Sequence, residues 1–365
     1  GTAGLGVYIW GAQFTESAKP LPYVKTLDVA VTKTFAETLR TEYDPVTGEN
    51  LGALIEGGST NLALYSEDFS NAAWTKLSGA TVASNTTLAP DNTFSADTLI
   101  LGASNVSRTE QAVLPTSLVV HTFSFWARSD SEVDFRVEIG ASNSGLTTRT
   151  ASNKWQRFTV SGTPHALASV YPQIKNTDSI GKTLYIWGAQ LEALPFTSSY
   201  IRTEGAAVSR SADKLSLPST SALKENNFTI RTKFSVLHLN DPTPISYVAA
   251  HEGLNQPSGS SLRVFTYGLG ILSRLGTSSS LNSGFGSIAN IEDDYVTTYL
   301  DNTVRTYDNG VAGATTSGQG VYAPDFNNPV FIGANQSGNN EFLNGHISKL
   351  STYAQAMTAQ EITLL

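Results

Sequence analysis

Thr122-Phe-Ser-Phe-Trp-Ala-Arg128 decides the fold class of this chain. Phe123, Phe125 and Ala127 alternate with Ser124, Trp126 and Arg128, and side chains two apart on an extended backbone share a face. One apolar face and one wet face is the pattern of an antiparallel sandwich strand; an amphipathic helix would repeat every three to four residues. The same pattern holds outward from it. In Asp134-Phe-Arg-Val-Glu-Ile-Gly140, Phe135, Val137 and Ile139 stand opposite Arg136 and Glu138. Val170, Pro172 and Ile174 oppose Tyr171, Gln173 and Lys175. From 62 to 201 turn signals break such runs every roughly 8–15 residues, and about eight strands fit, as in a jelly roll.

A second β domain is expected over 218–365, after a linker at 202–217. Phe228-Thr-Ile-Arg-Thr-Lys-Phe234 and Ser261-Leu-Arg-Val-Phe-Thr-Tyr267 alternate, and Asp308-Asn-Gly310 is a hairpin turn signal. A helix is expected only in 358–365, where Thr358 and Glu361 have capping-box spacing. The fold class is therefore all-β, with an antiparallel jelly-roll β-sandwich followed by a second β-sandwich.

Tyr8-Ile-Trp-Gly-Ala-Gln13 recurs letter for letter as Tyr185-Ile-Trp-Gly-Ala-Gln190. The register continues without a gap: Tyr23 meets Tyr200, Thr26 meets Thr203, and Ala30-Val31 meet Ala207-Val208. Such a self-match marks modules strung along a chain. Residues 1–33 then read as the closing strand and exit linker of an upstream jelly-roll repeat, and 34–61 as a connector with a turn at Asp44-Pro-Val-Thr-Gly48. A lone strand needs partners for its edges, so 1–33 are expected to pair with the jelly roll, another subunit or the rest of their own module. Trp10 and Trp187, repeated with their linker, read as junction or core residues.

Composition narrows the function classes. Only 15% of residues are charged, the formal charge is −8, and no run of Lys or Arg exists, so a basic nucleic-acid footprint is missing. No cysteine is present, which excludes a disulfide framework and a thiol nucleophile. No apolar run reaches the roughly 20 residues of a membrane-spanning helix, so no membrane insertion is expected. The five histidines, His121, His165, His238, His251 and His346, lack metal-ligand spacing. Gly268-Leu-Gly270 lacks the third glycine of a dinucleotide loop. Glu292-Asp-Asp294 places two carboxylates on one strand face about 6.5–7 Å apart, but a solvated loop is the favoured reading and no enzyme is expected.

The run Asn61-Leu-Ala-Leu-Tyr-Ser-Glu-Asp-Phe-Ser-Asn-Ala-Ala-Trp-Thr-Lys76 resembles the opening of jelly-roll carbohydrate-binding modules, with Trp155-Gln-Arg-Phe-Thr159 and Leu184–Glu192 in the expected order. Phe228-Thr-Ile230, Tyr307-Asp-Asn-Gly310, Phe331-Ile-Gly333 and Met357-Thr-Ala-Gln-Glu-Ile362 resemble a laminin-G/concanavalin-A-like sandwich. Tyr43-Asp-Pro-Val-Thr-Gly-Glu49, Gly52-Ala-Leu-Ile-Glu56, Tyr65-Ser-Glu-Asp-Phe69 and Tyr185–Gln190 together resemble modular tail-fibre and structural proteins of tailed bacteriophages.

These resemblances imply a non-catalytic, extracellular virion component: a tail-fibre or receptor-binding segment, homotrimeric by family analogy. Its partners would be a host cell-surface glycan and other virion proteins. Accessory carbohydrate-binding domains of a secreted polysaccharide-degrading enzyme, or a purely structural particle protein, are the alternatives. Related modules often hold a structural calcium through an Asp in the last strand; Trp187-Gly188 stands there, and Glu67 and Asp68 alone make no clear ligand set. No cofactor is expected. The candidate carbohydrate-binding residues are Trp126, Arg128, Arg136, Glu138, Tyr171, Gln173 and Lys175, all on the wet side by parity. Aromatic rings stack on sugar C–H faces while amide and charged groups bond hydroxyls. The bland alternative is that Trp126 packs under a loop or a neighbouring subunit.

Overall fold

The computed structural model describes residues 40–43, 47–115, 117–217, 227–237, 245–252, 261–267, 270–276, 281–286, 291–301, 303–317, 330–334 and 342–364. Tyr8–Gln13 with the rest of 1–33, the turn at 44–46, His238, Gly268-Leu269 and the side chain of His251 lie outside the described residues.

The first sandwich stacks two five-stranded antiparallel sheets. One, here the Tyr171 sheet, runs Thr147–Ala151, Val133–Gly140, Tyr171–Asn176, Arg108–Gln111, Trp74–Leu77. The other, the Trp126 sheet, runs Gln156–Gly162, His121–Arg128, Lys182–Glu192, Ala96–Leu101, Thr81–Thr87. The alternation sends Phe123, Phe125, Phe135, Val137, Ile139, Ile174, Leu184 and Ile186 into one core, all fully buried. Rings interlock across the layers: Phe125 meets Phe135 edge-on at 6.0 Å between centroids, and Phe135 meets Phe158 at 5.0 Å. Burial of each such ring stabilises by about 1.5–3 kcal/mol, which makes this core the main stabilising term of the module.

The second sandwich pairs a seven-stranded with a six-stranded antiparallel sheet. The larger runs Thr41–Tyr43, Asn50–Ile55, Gly345–Tyr353, Asn227–Val236, Asp293–Leu300, Thr303–Asp308, Val311–Ser317. The smaller runs Leu215–Leu217, Val330–Ile332, Ile245–Glu252, Ser261–Tyr267, Gly270–Gly276, Leu281–Gly286. Ile55, Phe234, Val236, Val248, Val264, Tyr295, Ile332, Leu343 and Ile347 form its core. Asn309 and Gly310 both take positive φ, as a two-residue type I′ hairpin requires. The one helix among the described residues, Ala359–Ile362, carries the expected capping box between Thr358 and Glu361.

Of residues 34–61, expected as a connector, the described part supplies two strands of the larger sheet, Thr41–Tyr43 and Asn50–Ile55. Ala53 pairs with Ile347 and Ile55 with Gly345. Gly52 sits at φ +100°, and a Cβ there would overlap the Ile347 carbonyl, so this pairing needs glycine. Leu215–Leu217, expected as linker, pairs with Val330–Ile332. The jelly roll is therefore inserted into the second sandwich rather than preceding it. Its entry and exit strands, Ser59–Asn61 and Val208–Arg210, pair with each other as a neck.

Beside the neck a polar joint fixes the two sandwiches. Glu56, 5% exposed, accepts hydrogen bonds from Arg40 at 2.8 Å, the Ser199 hydroxyl at 2.6 Å and the Ser199 N–H at 2.9 Å. Asp213 takes a bidentate pair from Arg40, with Nε at 2.8 Å, and accepts the Glu56 N–H at 2.8 Å. Burial would raise the Glu56 pKa, but the Ser199 donor and the Arg210 and Arg40 cations outweigh it and hold Glu56 below the usual carboxylate range.

Candidate functional site

The structure divides the seven candidate residues between the two outer faces of the first sandwich. Trp126 and Arg128 stand on the Trp126 sheet; Arg136, Glu138, Tyr171, Gln173 and Lys175 stand on the Tyr171 sheet. The core lies between these sheets, so no single ligand touches both groups. Parity separates inward from outward but does not say which sheet a strand joins.

The outer face of the Trp126 sheet is largely covered. Trp126 packs edge-on against Trp187 at 5.3 Å and Tyr200 at 5.4 Å, and the Arg157 guanidinium lies 4.4 Å over its ring. Ser198 accepts from Arg157, Ser95 accepts from the Trp187 indole at 3.0 Å, and Leu88 accepts from the Trp155 indole at 3.2 Å. The exit segment around 198–201 and the loop around 85–95 thus lie over the ring cluster. Arg128 is engaged as well: its guanidinium sits 4.1 Å over Tyr185 and donates to Thr87 at 2.9 Å. Trp126 is a packing residue beneath chain segments, the alternative named above, and not an open platform.

The Tyr171 sheet presents a half-buried polar array, ordered by strand register. Arg136 pairs with Lys175, and Lys175 with Arg108, so three cations line up across three adjacent strands. In the next row Glu138 pairs with Gln173, and Gln173 with Glu110. Tyr171 opposite Gly140 forms a third row. Neighbouring strands are about 4.8 Å apart and rows about 6.5–7 Å, the scale of a whole sugar residue. Arg108 and Glu110 were not among the sequence candidates; RTEQ alternation at 108–111 was the signal that could have found them.

Within the array, Arg108 bonds Glu110 at 2.7 Å and Lys175 lies 3.9 Å from Glu138. Gln173 is only 8% exposed, and its amide makes no side-chain hydrogen bond among the described residues. A Cβ on Gly140 would come within 2.9 Å of its Nε2, so glycine leaves room for the amide to lie there. The Arg136 guanidinium likewise has no partner among the described residues. An open hollow of about 680 Å³ bounded by Asp130, Glu132, Asp134, Thr150 and Lys182 adjoins this face at the Asp134 end.

The remaining sequence candidates are held by local contacts. Asp294 pairs with Arg231 at 2.5 Å and Lys233 at 3.3 Å, while Glu292 bonds Ser348. Glu67 is taken by Tyr200 at 3.2 Å and Arg202 at 3.3 Å, and Asp68 caps its own turn through Ser70 and Asn71. No group of three His, Asp or Glu side chains among the described residues could hold a metal ion. His121 bonds the Val119 carbonyl and His346 lies 2.6 Å from Glu42.

The fold defines an all-β protein built of two antiparallel β-sandwiches. Residues 209–363 match the concanavalin A-like lectin/glucanases superfamily. Among solved structures, the chain is similar to Domain 4 of AbnA, an extracellular arabinanase from Geobacillus stearothermophilus, at 15% identity and TM-score 0.35, over 46% of this chain and 80% of that one. The N-terminal CBM22 tandem domain of Paenibacillus barcinonensis Xyn10C is similar at 10% identity and TM-score 0.30, over 84% and 100%. The NanB sialidase of Streptococcus pneumoniae is similar at 16% identity and TM-score 0.33, over 42% of this chain and only 26% of the sialidase. No curated protein matches the chain.

Proposed function

We propose that this chain is a non-catalytic glycan-binding component of a phage virion, a tail-fibre or receptor-binding segment, and that the Tyr171 sheet holds the host-surface glycan. The observation that carries the glycan reading is Gln173: an amide with no side-chain hydrogen bond among the described residues, still open to solvent, at the centre of an outward-facing row and flanked by Glu138 and Glu110. An amide donates and accepts at once, so a sugar hydroxyl arriving there can take the place of solvent at both atoms. The virion setting rests on the resemblance of residues 40–215 to phage fibre modules, and with it come an extracellular place, a homotrimer and other virion proteins as neighbours. Modest single-site affinity would suit such an assembly, because repeated sites add avidity. The same face would serve an accessory module of a polysaccharide-degrading enzyme, and genes or domains adjoining this sequence separate the two settings.

Binding of the full chain to a bacterial glycan array tests the site. The expected result is binding that Gln173→Ala weakens at least tenfold without a change in melting temperature. Trp126→Ala is expected to lower the melting temperature instead. Binding that survives Gln173→Ala unchanged would move the site away from this sheet.

A further inference from the structure

Resting on that reading, we propose that the glycan held by the Tyr171 sheet is anionic, with its acid groups seated on the Arg136–Lys175–Arg108 row. Directly opposed like charges on neighbouring strands destabilise a sheet, and here three stand side by side. Two of the three are compensated from the adjacent row: Arg108 by Glu110 at 2.7 Å, and Lys175 by Glu138 at 3.9 Å. Arg136, at the end of the row, is left without an ion-pair partner among the described residues. The nearest further carboxylate on its strand, Asp134, spends Oδ1 on the Thr150 hydroxyl at 2.6 Å.

With Glu138, Glu110 and Asp134 the face balances its three cations, but Arg136 alone among them makes no ion pair, and its fork-shaped guanidinium is the group best suited to bidentate bonding of a carboxylate or sulfate. The geometry also orders the ligand. An acid group on Arg136 and Lys175 leaves hydroxyls one row along, opposite Glu138, Gln173 and Glu110, where two acceptors flank an amide. A neutral chain would use the second row and leave the first idle. The chain as a whole carries −8, so an anionic polymer is repelled by the bulk of the surface, and binding requires this local row of cations.

The test is calorimetric titration of the full chain with polygalacturonate, the same polymer methyl-esterified, heparin and dextran, at low and moderate salt. Tight binding of an acidic polymer, weakened roughly tenfold to a hundredfold by Arg136→Gln and partly kept by Arg136→Lys, supports the proposal. The melting temperature should not fall in either variant, and Arg136→Gln should raise it slightly by relieving the repulsion with Lys175, since Arg136 makes no hydrogen bond or ion pair among the described residues. Preference between polygalacturonate and heparin tells carboxylate from sulfate. Equal affinity for the esterified polymer or dextran, unmoved by Arg136→Gln, overturns the acidic ligand; if Gln173→Ala still weakens that binding, the glycan site itself stands. No binding to any acidic polymer overturns the proposal, while a neutral array ligand that depends on Gln173 leaves the broader reading in place.

Discussion

Asp97 shows what a single buried carboxylate does to this fold. It is fully buried at the start of Ala96–Leu101 and accepts the Phe69 N–H at 2.7 Å and the Asn85 N–H at 2.9 Å. Burial pushes its pKa up to about 6, against the pull of those two donors. The unfolded value is about 3.9, so the folded value is the raised one. Its contribution to stability is then full below about pH 4 and is lost as pH rises through about 6. Asp97→Asn keeps the shape but turns an amide donor toward a backbone donor, so it should be less stable than wild type, with a gap that narrows from pH 4 to pH 7. Urea denaturation across that range measures the gap; a constant gap would refute the assignment. At this scale the sequence was legible in part. Alternation told inward from outward for Phe123, Phe125, Phe135 and Ile139, yet it placed Trp126 and Gln173 on one face. Which sheet a strand joins, and whether a distant loop lies over it, depends on contacts far apart in sequence.

Among the elements, the repeated hexapeptide has a physical explanation. Lys182–Glu192 pairs with His121–Arg128 through a bulge between Trp187 and Gln190, where Gly188 takes φ +67°. Beyond the bulge, Gln190 accepts the Ile201 N–H at 2.7 Å, Tyr200 packs at a tilt against Trp187 with ring centroids 4.7 Å apart, and Thr203 donates to the Ala63 carbonyl at 2.5 Å. Trp187, Gly188, Gln190, Tyr200 and Thr203 all recur in the first copy, so the shared letters are those that clasp the exit segment to the closing strand. A Cβ on Gly188 would meet the Trp126 ring at 2.8 and 3.0 Å, and the left-handed backbone adds its own cost. Gly188→Ala should therefore destabilise the first sandwich by about 2–4 kcal/mol in urea unfolding followed by tryptophan fluorescence. A change under about 0.5 kcal/mol would mean that the ring stack yields freely. The strands of the jelly roll could be read from their alternation. Thr41–Tyr43 and Asn50–Ile55 could not, because their partner, Gly345–Tyr353, lies at the far end of the chain and short strands carry too few alternations to register.

For the whole molecule, the polar joint predicts how the sandwiches unfold. Arg40 bridges Glu56, Asp213 and Ser199, and its guanidinium keeps about a third of its surface in water. Arg40→Ala leaves Glu56 buried with one cation fewer, for an expected loss of about 1–3 kcal/mol after allowance for that exposure. Scanning calorimetry should show one transition in the wild type and two in the variant, as the sandwiches cease to unfold together. A single unshifted transition in Arg40→Ala would show that the neck alone couples them. The insertion has a further consequence, for how the molecule bears load. Tension applied between Arg40 and Leu364 runs through the second sandwich, where Asn50–Ile55 would have to shear along Gly345–Tyr353. The jelly roll hangs from its neck, outside that path, and none of its strands is stretched. A pull on the module itself enters differently, loading Ser59–Asn61 and Val208–Arg210 side by side along their length. The module would thus stay folded, and its Tyr171 sheet intact, under a force that strains the body from which it hangs.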